Sequence, residues 1–287
     1  MPDEKFRELT SLRAEIEAFG ASRTVRRAAA EPALLDRLRD ICARIRRAAH
    51  RGDCVACREA DAEFHETVMD MSGVPGLAAM WKIAWEKLGA FYLPRFDHDV
   101  SGWRNSVVEH EYLLETIRLG EPVAAEEAVR NHIEATYVSQ CAAMGTPDAE
   151  RDVLFLATRH MAAQLQYPLR LGDVAARVAR VCPRHLTRLF HRQHGMGFKA
   201  YLQKLRMAKA AELMAGTRLP VATVARRVGY RNFSLFAAHF VRAGGLPPRA
   251  WRKKHGGHAH FTAAGGAISV MKSISGFASG AHSTKLP

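Results

Sequence analysis

The chain has 287 residues, 48% of them hydrophobic, and a formal net charge of +13. That length suits about two domains, each large enough to bury its own core. No apolar run approaches the roughly 18 residues of a membrane span, and the charged start, Met1 to Phe6, lacks a signal-peptide core, so the chain reads as cytoplasmic with no membrane partner.

The elements read as helices from one end to the other. Leu34, Leu35, Leu38, Ile41 and Ile45 recur at helical spacing after Pro32, a residue suited to a first helical turn. Gly52-Asp53 ends that helix and opens the next. Cys54-x-x-Cys57 lacks the second pair that a zinc site needs, and the five cysteines are too scattered for a disulfide framework. Gly73-Val74-Pro75-Gly76 is a second break. Pro94, two aspartates and Gly102 mark residues 93–102 as a loop. Gly120 closes a helix and Pro122 starts another. Residues 4–141 are therefore predicted to form an all-α, antiparallel bundle of about six helices.

A linker follows at 142–152, a second helical region at 153–254, and a tail at 255–287 that is rich in Gly, Ser, Ala and His and is expected to be disordered. His255, His258 and His260 in that tail could bind metal only adventitiously. Charge divides along the same line. Residues 1–145 hold 19 Lys/Arg and 24 Asp/Glu, whereas residues 146–287 hold 23 and 5. After Asp173 the only acidic residue is Glu212. Such a one-sided excess suits a polyanion, with nucleic acid first among partners.

The basic region repeats itself. A shift of 50 residues aligns Val174, Ala175, Arg177 and Val178 with Val224, Ala225, Arg227 and Val228, and Phe190, Arg192 and Gly195 with Phe240, Arg242 and Gly245. Each copy reads as helix, turn, helix. Ala179 and Gly229 fall where the tight turn is needed, and Leu186/Phe190 and Phe236/Phe240 are i,i+4 pairs that would pin the second helix to the core. A long amphipathic helix through Phe198, Tyr201, Leu202, Leu205, Ala208, Leu213 and Met214 joins the copies.

A helix-turn-helix offers its second helix to the major groove of double-stranded DNA. The expected contact residues are Arg184, His185, Thr187, Arg188 and Arg192 in copy one. In copy two they are Arg231, Asn232, Ser234, His239 and Arg242, with Leu235 and Ala238 also exposed. Arg can read guanine and Asn adenine, and any one of these can equally hold phosphate. The strings "VAARVARVCPRHLTRLFHRQHGMG", "YLQKLRMAKAAELM" with Arg206 and Ala210, and "VATVARRVGYRNFSLFAAHFVRAGGLPPRAWRK" resemble the AraC/XylS-type DNA-binding domain. The resemblance implies two helix-turn-helix units whose second helices enter major grooves about one turn apart. Cys182 departs from it, standing where the family has a helix-capping residue. Ala237 and Ala238 leave copy two with fewer polar groups, so it is expected to read less sequence than copy one.

The acidic region carries a different pattern. Asp61 and His65 are i,i+4 on one helix, His110 lies mid-helix between Val107/Val108 and Leu113/Leu114, and His132 lies on the last helix of the bundle. On spacing alone, three helices either aim these four at one interior point, where a divalent metal would suit them, or carry separate histidines. The strings "ELTSLRAEIEAFGA", "DAEFHETVMDMSG", "EHEYLLETIRLGEPVAAEEAV" and "NHIEATY" resemble the FCD domain, the ligand-binding domain of FadR-type GntR regulators. The resemblance implies a metal, zinc or nickel foremost, at Asp61, His65, His110 and His132, and a small carboxylate effector completing its shell. It also places Arg13 at the family's common first-helix arginine, with Arg95, Trp103 and Arg104 as further candidates for the pocket wall. Val74-Pro75 departs from the family, which often has Asn there. A homodimer is consistent with the family.

Together these readings predict a sequence-specific DNA-binding transcription regulator that senses a small organic acid at a bound metal. A regulator sensing the ion itself shares every residue. A metal-dependent hydrolase fits less well, because no HExxH-type motif and no placed general base accompany the four ligands and the basic repeat would be unexplained. The chain is therefore read as a non-enzyme.

Overall fold

A computed structural model of the chain describes residues 4–89, 91, 100–144 and 150–255. Its contacts divide the chain into two units, Met1–Met144 and Gly145–Pro287. Every regular element among the described residues is helical.

The first unit holds α1 (Glu4–Ala30), α2 (Leu34–Arg51), α3 (Cys54–Met71), α4 (Leu77–Gly89), α5 (Val100–Arg118) and α6 (Pro122–Met144). The breaks behave as local chemistry requires. Gly52 takes a left-handed φ of 72° as C-cap of α2, and the Asp53 side chain accepts from the Ala56 N–H as N-cap of α3. α1 runs through the middle, packing most extensively on α6 and also on α3, α4 and α5, while α2 packs on α3 and α5. Val25, Leu38, Ile41, Phe64, Trp81, Leu113 and Ile133 are among the side chains that fill the space between them. Two differences from the sequence reading stand out. Residues 100–102, expected in a loop, open α5, so Gly102 lies within a helix. α6 continues to Met144 and α7 begins at Glu150, so helix extends into both ends of the expected linker.

The second unit holds α7 (Glu150–Ala163), α8 (Leu171–Asp173) continuing as a π-helical turn (Val174–Ala179), α9 (Pro183–His194), α10 (Phe198–Gly216), α11 (Val221–Arg227), α12 (Phe233–Gly244) and α13 (Pro248–His255). The 50-residue repeat is visible as burial. Val174 and Val224, Ala175 and Ala225, Val178 and Val228, Leu186 and Phe236, and Phe190 and Phe240 are all buried. α10 buries the stripe that joins the copies.

The turns of the two copies differ. In copy two Gly229 takes φ 84°, as expected. In copy one the left-handed residue is Arg180, at φ 53°, and not Ala179. Ala179 instead completes the π-helical turn, and the Val181 N–H reaches back to the Ala175 carbonyl at 3.0 Å. A Cβ makes the left-handed conformation costly at either position, and the wider turn moves it one residue on. The expected tail lies outside the described residues from 256 on, and with it His258 and His260. His255 ends α13 with Nδ1 2.9 Å from the Trp251 carbonyl oxygen. No helix among the described residues is long and apolar enough to cross a membrane.

Candidate metal centre and nucleic-acid interface

α3, α5 and α6 bring Asp61, His65, His110 and His132 together, one ligand atom from each lying within 4.8 Å of the others. Asp61 and His65 share a face of α3 because they are one helical turn apart. The rings of His65, His110 and His132 stand with centroids 5.0 to 5.4 Å apart, and Phe64 meets the His110 ring edge-on at 4.9 Å. All three histidines are buried.

Each imidazole is held from behind. His65 Nδ1 lies 2.6 Å from Glu17 Oε2, His110 Nδ1 lies 2.8 Å from the Ser106 carbonyl oxygen, and His132 Nδ1 lies 2.9 Å from Glu109 Oε2. A carbonyl or carboxylate oxygen only accepts, so these contacts put the ring proton on Nδ1 and leave Nε2 as the free lone pair of a neutral ring. Nε2 of His65 and of His110 are buried without a hydrogen-bond partner. His110 Nε2 is 3.1 Å from Asp61 Oδ1, but not in hydrogen-bond alignment. A buried nitrogen without a partner is costly, and a cation among three imidazoles and a carboxylate would remove that cost. The residues present therefore fit a divalent metal.

The electrostatics follow from the same contacts. Burial would raise the Asp61 carboxyl, but the close contact and charge of His110 and the charges of His65 and His132 outweigh it and hold it below the usual carboxylate range. Glu17 behaves alike: burial raises it, and Arg13, His65 and the Trp81 hydrogen bond together bring it well below that range. Burial lowers His65 despite Glu17 beside it, which keeps the ring neutral. His110 is raised, since Asp61 and the Ser106 carbonyl outweigh its burial.

Of the residues proposed to hold an effector, Arg13 is joined to this cluster. Its Nε donates to Glu17 Oε1 at 2.6 Å, and its guanidinium lies 4.6 Å over the Trp85 ring. Arg13 also lines a cleft together with Thr10, Ile133, Tyr137 and Gln140. The buried Gln140 Oε1 there has no hydrogen-bond partner. Trp103 packs instead against the small cluster of Ala48, Ala49 and Cys57, and Arg104 is exposed. Arg95 lies outside the described residues. Cys54 and Cys57 are buried, and burial pushes the Cys57 thiol up to about 11, which leaves it unreactive.

Glu17, Trp81, Ser106 and Glu109 are the supporting residues that the sequence reading missed. A signal for Glu17 existed: Thr10, Arg13, Glu17 and Thr24 continue the inward stripe of α1 at helical spacing, so a charged pair was facing the core. Glu109 sits beside a ligand in sequence but serves His132 on another helix, and no spacing rule predicts that.

In the second unit α9 and α12 present the expected faces. Arg184, Arg188 and Arg192 are exposed, and His185 and Thr187 are half-buried. Arg188 Nη2 donates to His185 Nδ1 at 3.1 Å, and Thr187 donates to the Pro183 carbonyl within its own helix. On α12 Arg231, Asn232, Ser234 and Arg242 are exposed. Asn232 is the N-cap, its side-chain oxygen accepting from the Leu235 N–H at 3.0 Å. One lone pair of that oxygen is thus used by the cap, and the side-chain NH2 stays exposed. At the matching position Cys182 caps α9 with no side-chain hydrogen bond. His239 Nδ1 lies 2.8 Å from the Tyr230 hydroxyl. Arg206 of α10 donates to the carbonyls of Leu165 and Tyr167 at 2.9 and 3.0 Å and lies over the Tyr230 ring, tying α10 to the turn before α12.

Comparison with known proteins agrees with this division. Residues 8–135 match the FCD domain and residues 175–254 a helix-turn-helix domain. The chain is 33% identical over 104 residues to the regulatory protein PocR of Salmonella typhimurium, covering 36% of this chain and 34% of that protein. It is 30% identical over 112 residues to the transcriptional activator RhaR of Cronobacter sakazakii, covering 39% of each. The match thus spans between a third and two fifths of the curated relatives' length. Among solved structures, the C-terminal domain of the response regulator AraT from Geobacillus stearothermophilus is 31% identical at a TM-score of 0.35, covering 39% of this chain and 93% of that one. The chain thus carries a match to the FCD domain and a match to a helix-turn-helix domain, and is similar over part of its length to transcription regulators.

Proposed function

We propose that this protein is a cytoplasmic, sequence-specific transcription regulator, not an enzyme, whose FCD domain senses a small organic acid at a bound divalent metal. One observation carries the sensing half: three imidazoles, each oriented through Nδ1, and one carboxylate converge with two ring nitrogens buried and unpartnered. Asp61, His65, His110 and His132 would hold the ion, zinc or nickel by donor type. When bound, the metal supplies a Lewis-acid anchor for a carboxylate. Arg13, joined to the cluster through Glu17, would offer a charge to the same anion.

Regulation needs the acid to bind two states of the protein unequally. The arrangement supplies a route, because Arg13 is already paired with Glu17, which holds His65. An anion drawing on Arg13 would weaken the grip of Glu17 and alter α1 against α3.

A second reading has the ion itself as effector. The same Arg13–Glu17 pair favours it, since the guanidinium already has an internal carboxylate. Elemental analysis and native mass spectrometry of the purified chain, followed by DNA retardation on its own upstream region, test both. The first reading expects bound metal and a shift that changes with added acid. A shift that follows metal alone supports the second. Metal-free protein with full DNA affinity, or no sequence-specific shift at moderate salt, would sink both.

A further inference from the structure

The two DNA-facing helices carry opposite chemistry at matching positions. On α9 the outward stripe is His185, Arg188 and His191, with Arg192 beside it. Fifty residues on, the stripe of α12 is Leu235, Ala238 and Val241, with Arg242 beside it. Leu235 is 50% exposed and Val241 39%, and Ala238 is open to solvent between them. The opposite face of α12 is spent on the core through Phe236 and Phe240. The exposed apolar stripe is therefore not packing for the second unit.

We infer that α12 reads thymine 5-methyl groups in the major groove, so that the half-site under copy two is A·T-rich; this rests on the DNA-binding reading above. The C5-methyl is the apolar group that base edges present in that groove. Leu235 lies in the first turn of α12, the part of a recognition helix that meets base edges. Against a G·C pair the same leucine would cover the guanine O6 or cytosine amine without a hydrogen bond, which costs free energy.

The cations frame the stripe. Arg231 precedes the helix and Arg242 ends the stripe, both exposed and placed to meet phosphates on either side. The surrounding region, residues 146–287, carries 23 Lys/Arg against 5 Asp/Glu, which favours a polyanion over an apolar protein partner. Asn232 caps the helix and His239 meets Tyr230, so Leu235 is the apolar reader of the first turn, beside the exposed Ser234. Copy two reads a methyl code where copy one offers arginine.

The test uses the purified full chain. A binding site is selected from a randomised duplex library, and each thymine is then replaced in turn by deoxyuridine, which removes only the methyl. One or two thymines in one half of the site should each lose about fourfold in affinity, the worth of one buried methyl-sized group. Leu235→Ala should abolish that loss at its own thymine and leave the others unchanged, and because the side chain is exposed its thermal unfolding should match the parent. Tolerance of deoxyuridine at every position would overturn the inference. So would an unchanged selected site and affinity in Leu235→Ala, the result expected if this face serves a protein partner. Failure of the parent chain to enrich any sequence would strike the DNA-binding reading itself, and the inference with it.

Discussion

His65 and Glu17 meet through a 2.6 Å contact between Nδ1 and Oε2, with both side chains sealed from solvent. The other carboxylate oxygen of Glu17 accepts from Arg13 Nε and Trp81 Nε1, each at 2.6 Å. One buried carboxylate thus sets the tautomer of a metal-ligand candidate, balances an arginine that lines the cleft and anchors α4 to α1. Glu17→Gln keeps the shape and removes the charge. Metal affinity should fall about 10- to 100-fold, as for other groups that orient a ligating histidine. Competition against a chelator measures it, and unchanged affinity would reduce Glu17 to a packing role.

Replacing His132 with Ala removes a ligand from α6. Metal content and melting temperature should fall together, because an ion bound only by the native state stabilises it by mass action. Chelation of the parent protein should reproduce the same drop in melting temperature. Full metal content in the variant, read by elemental analysis, would remove His132 from the ligand set.

Cys182 and Asn232 occupy the same cap position in the two copies, and only Asn232 makes the capping hydrogen bond. Cys182 already has the extended backbone that a cap needs, with φ −68° and ψ 148°. Cys182→Ser should therefore stabilise the second unit by about 1 kcal/mol, and Asn232→Ala should cost about the same. Denaturant unfolding of the full chain compares them, and a neutral Cys182→Ser would show that water already serves the α9 amides.

Gly229 combines a left-handed backbone with close quarters. A Cβ there would stand 2.6 Å from both the Arg206 guanidinium and the Leu165 carbonyl oxygen. Gly229→Ala should cost at least about 2 kcal/mol and displace Arg206 from its two carbonyls. Arg180 occupies the left-handed region in copy one with a side chain, so Arg180→Gly should gain up to about 1 kcal/mol. The pair should shift thermal unfolding in opposite directions.

Arg188 stands exposed in the middle of the outward stripe of α9. Arg188→Ala should weaken binding to the selected site by about 1–3 kcal/mol and relax specificity at one position, if it reads a base. An equal loss on all sequences, with a shallower salt dependence, would make it a phosphate contact.

Much of this is legible in the sequence alone. Periodicity and breakers located the helices, because a helix with one buried face must repeat every 3.6 residues and must stop where Gly or Pro stops it. The repeat placed Phe190 and Phe240 in equivalent roles, since a duplicated fold must fill a duplicated core. Asp61 and His65 could be seen as neighbours because one helical turn joins them.

What the sequence by itself determined is therefore local: an acidic helical domain, a basic duplicated one, and the four residues able to ligate a metal. The tertiary structure decided what depends on contacts between distant segments. It brought Glu109 to His132 and Glu17 to His65, neither of which any local spacing requires. It moved the left-handed turn from Ala179 to Arg180, because the cost of a Cβ is settled by the whole turn. It also showed that Asn232 caps a helix and that Leu235, Ala238 and Val241 form one outward stripe. Which polar group is spent and which face is left over are decided by packing, and the chemistry offered to DNA follows from that remainder.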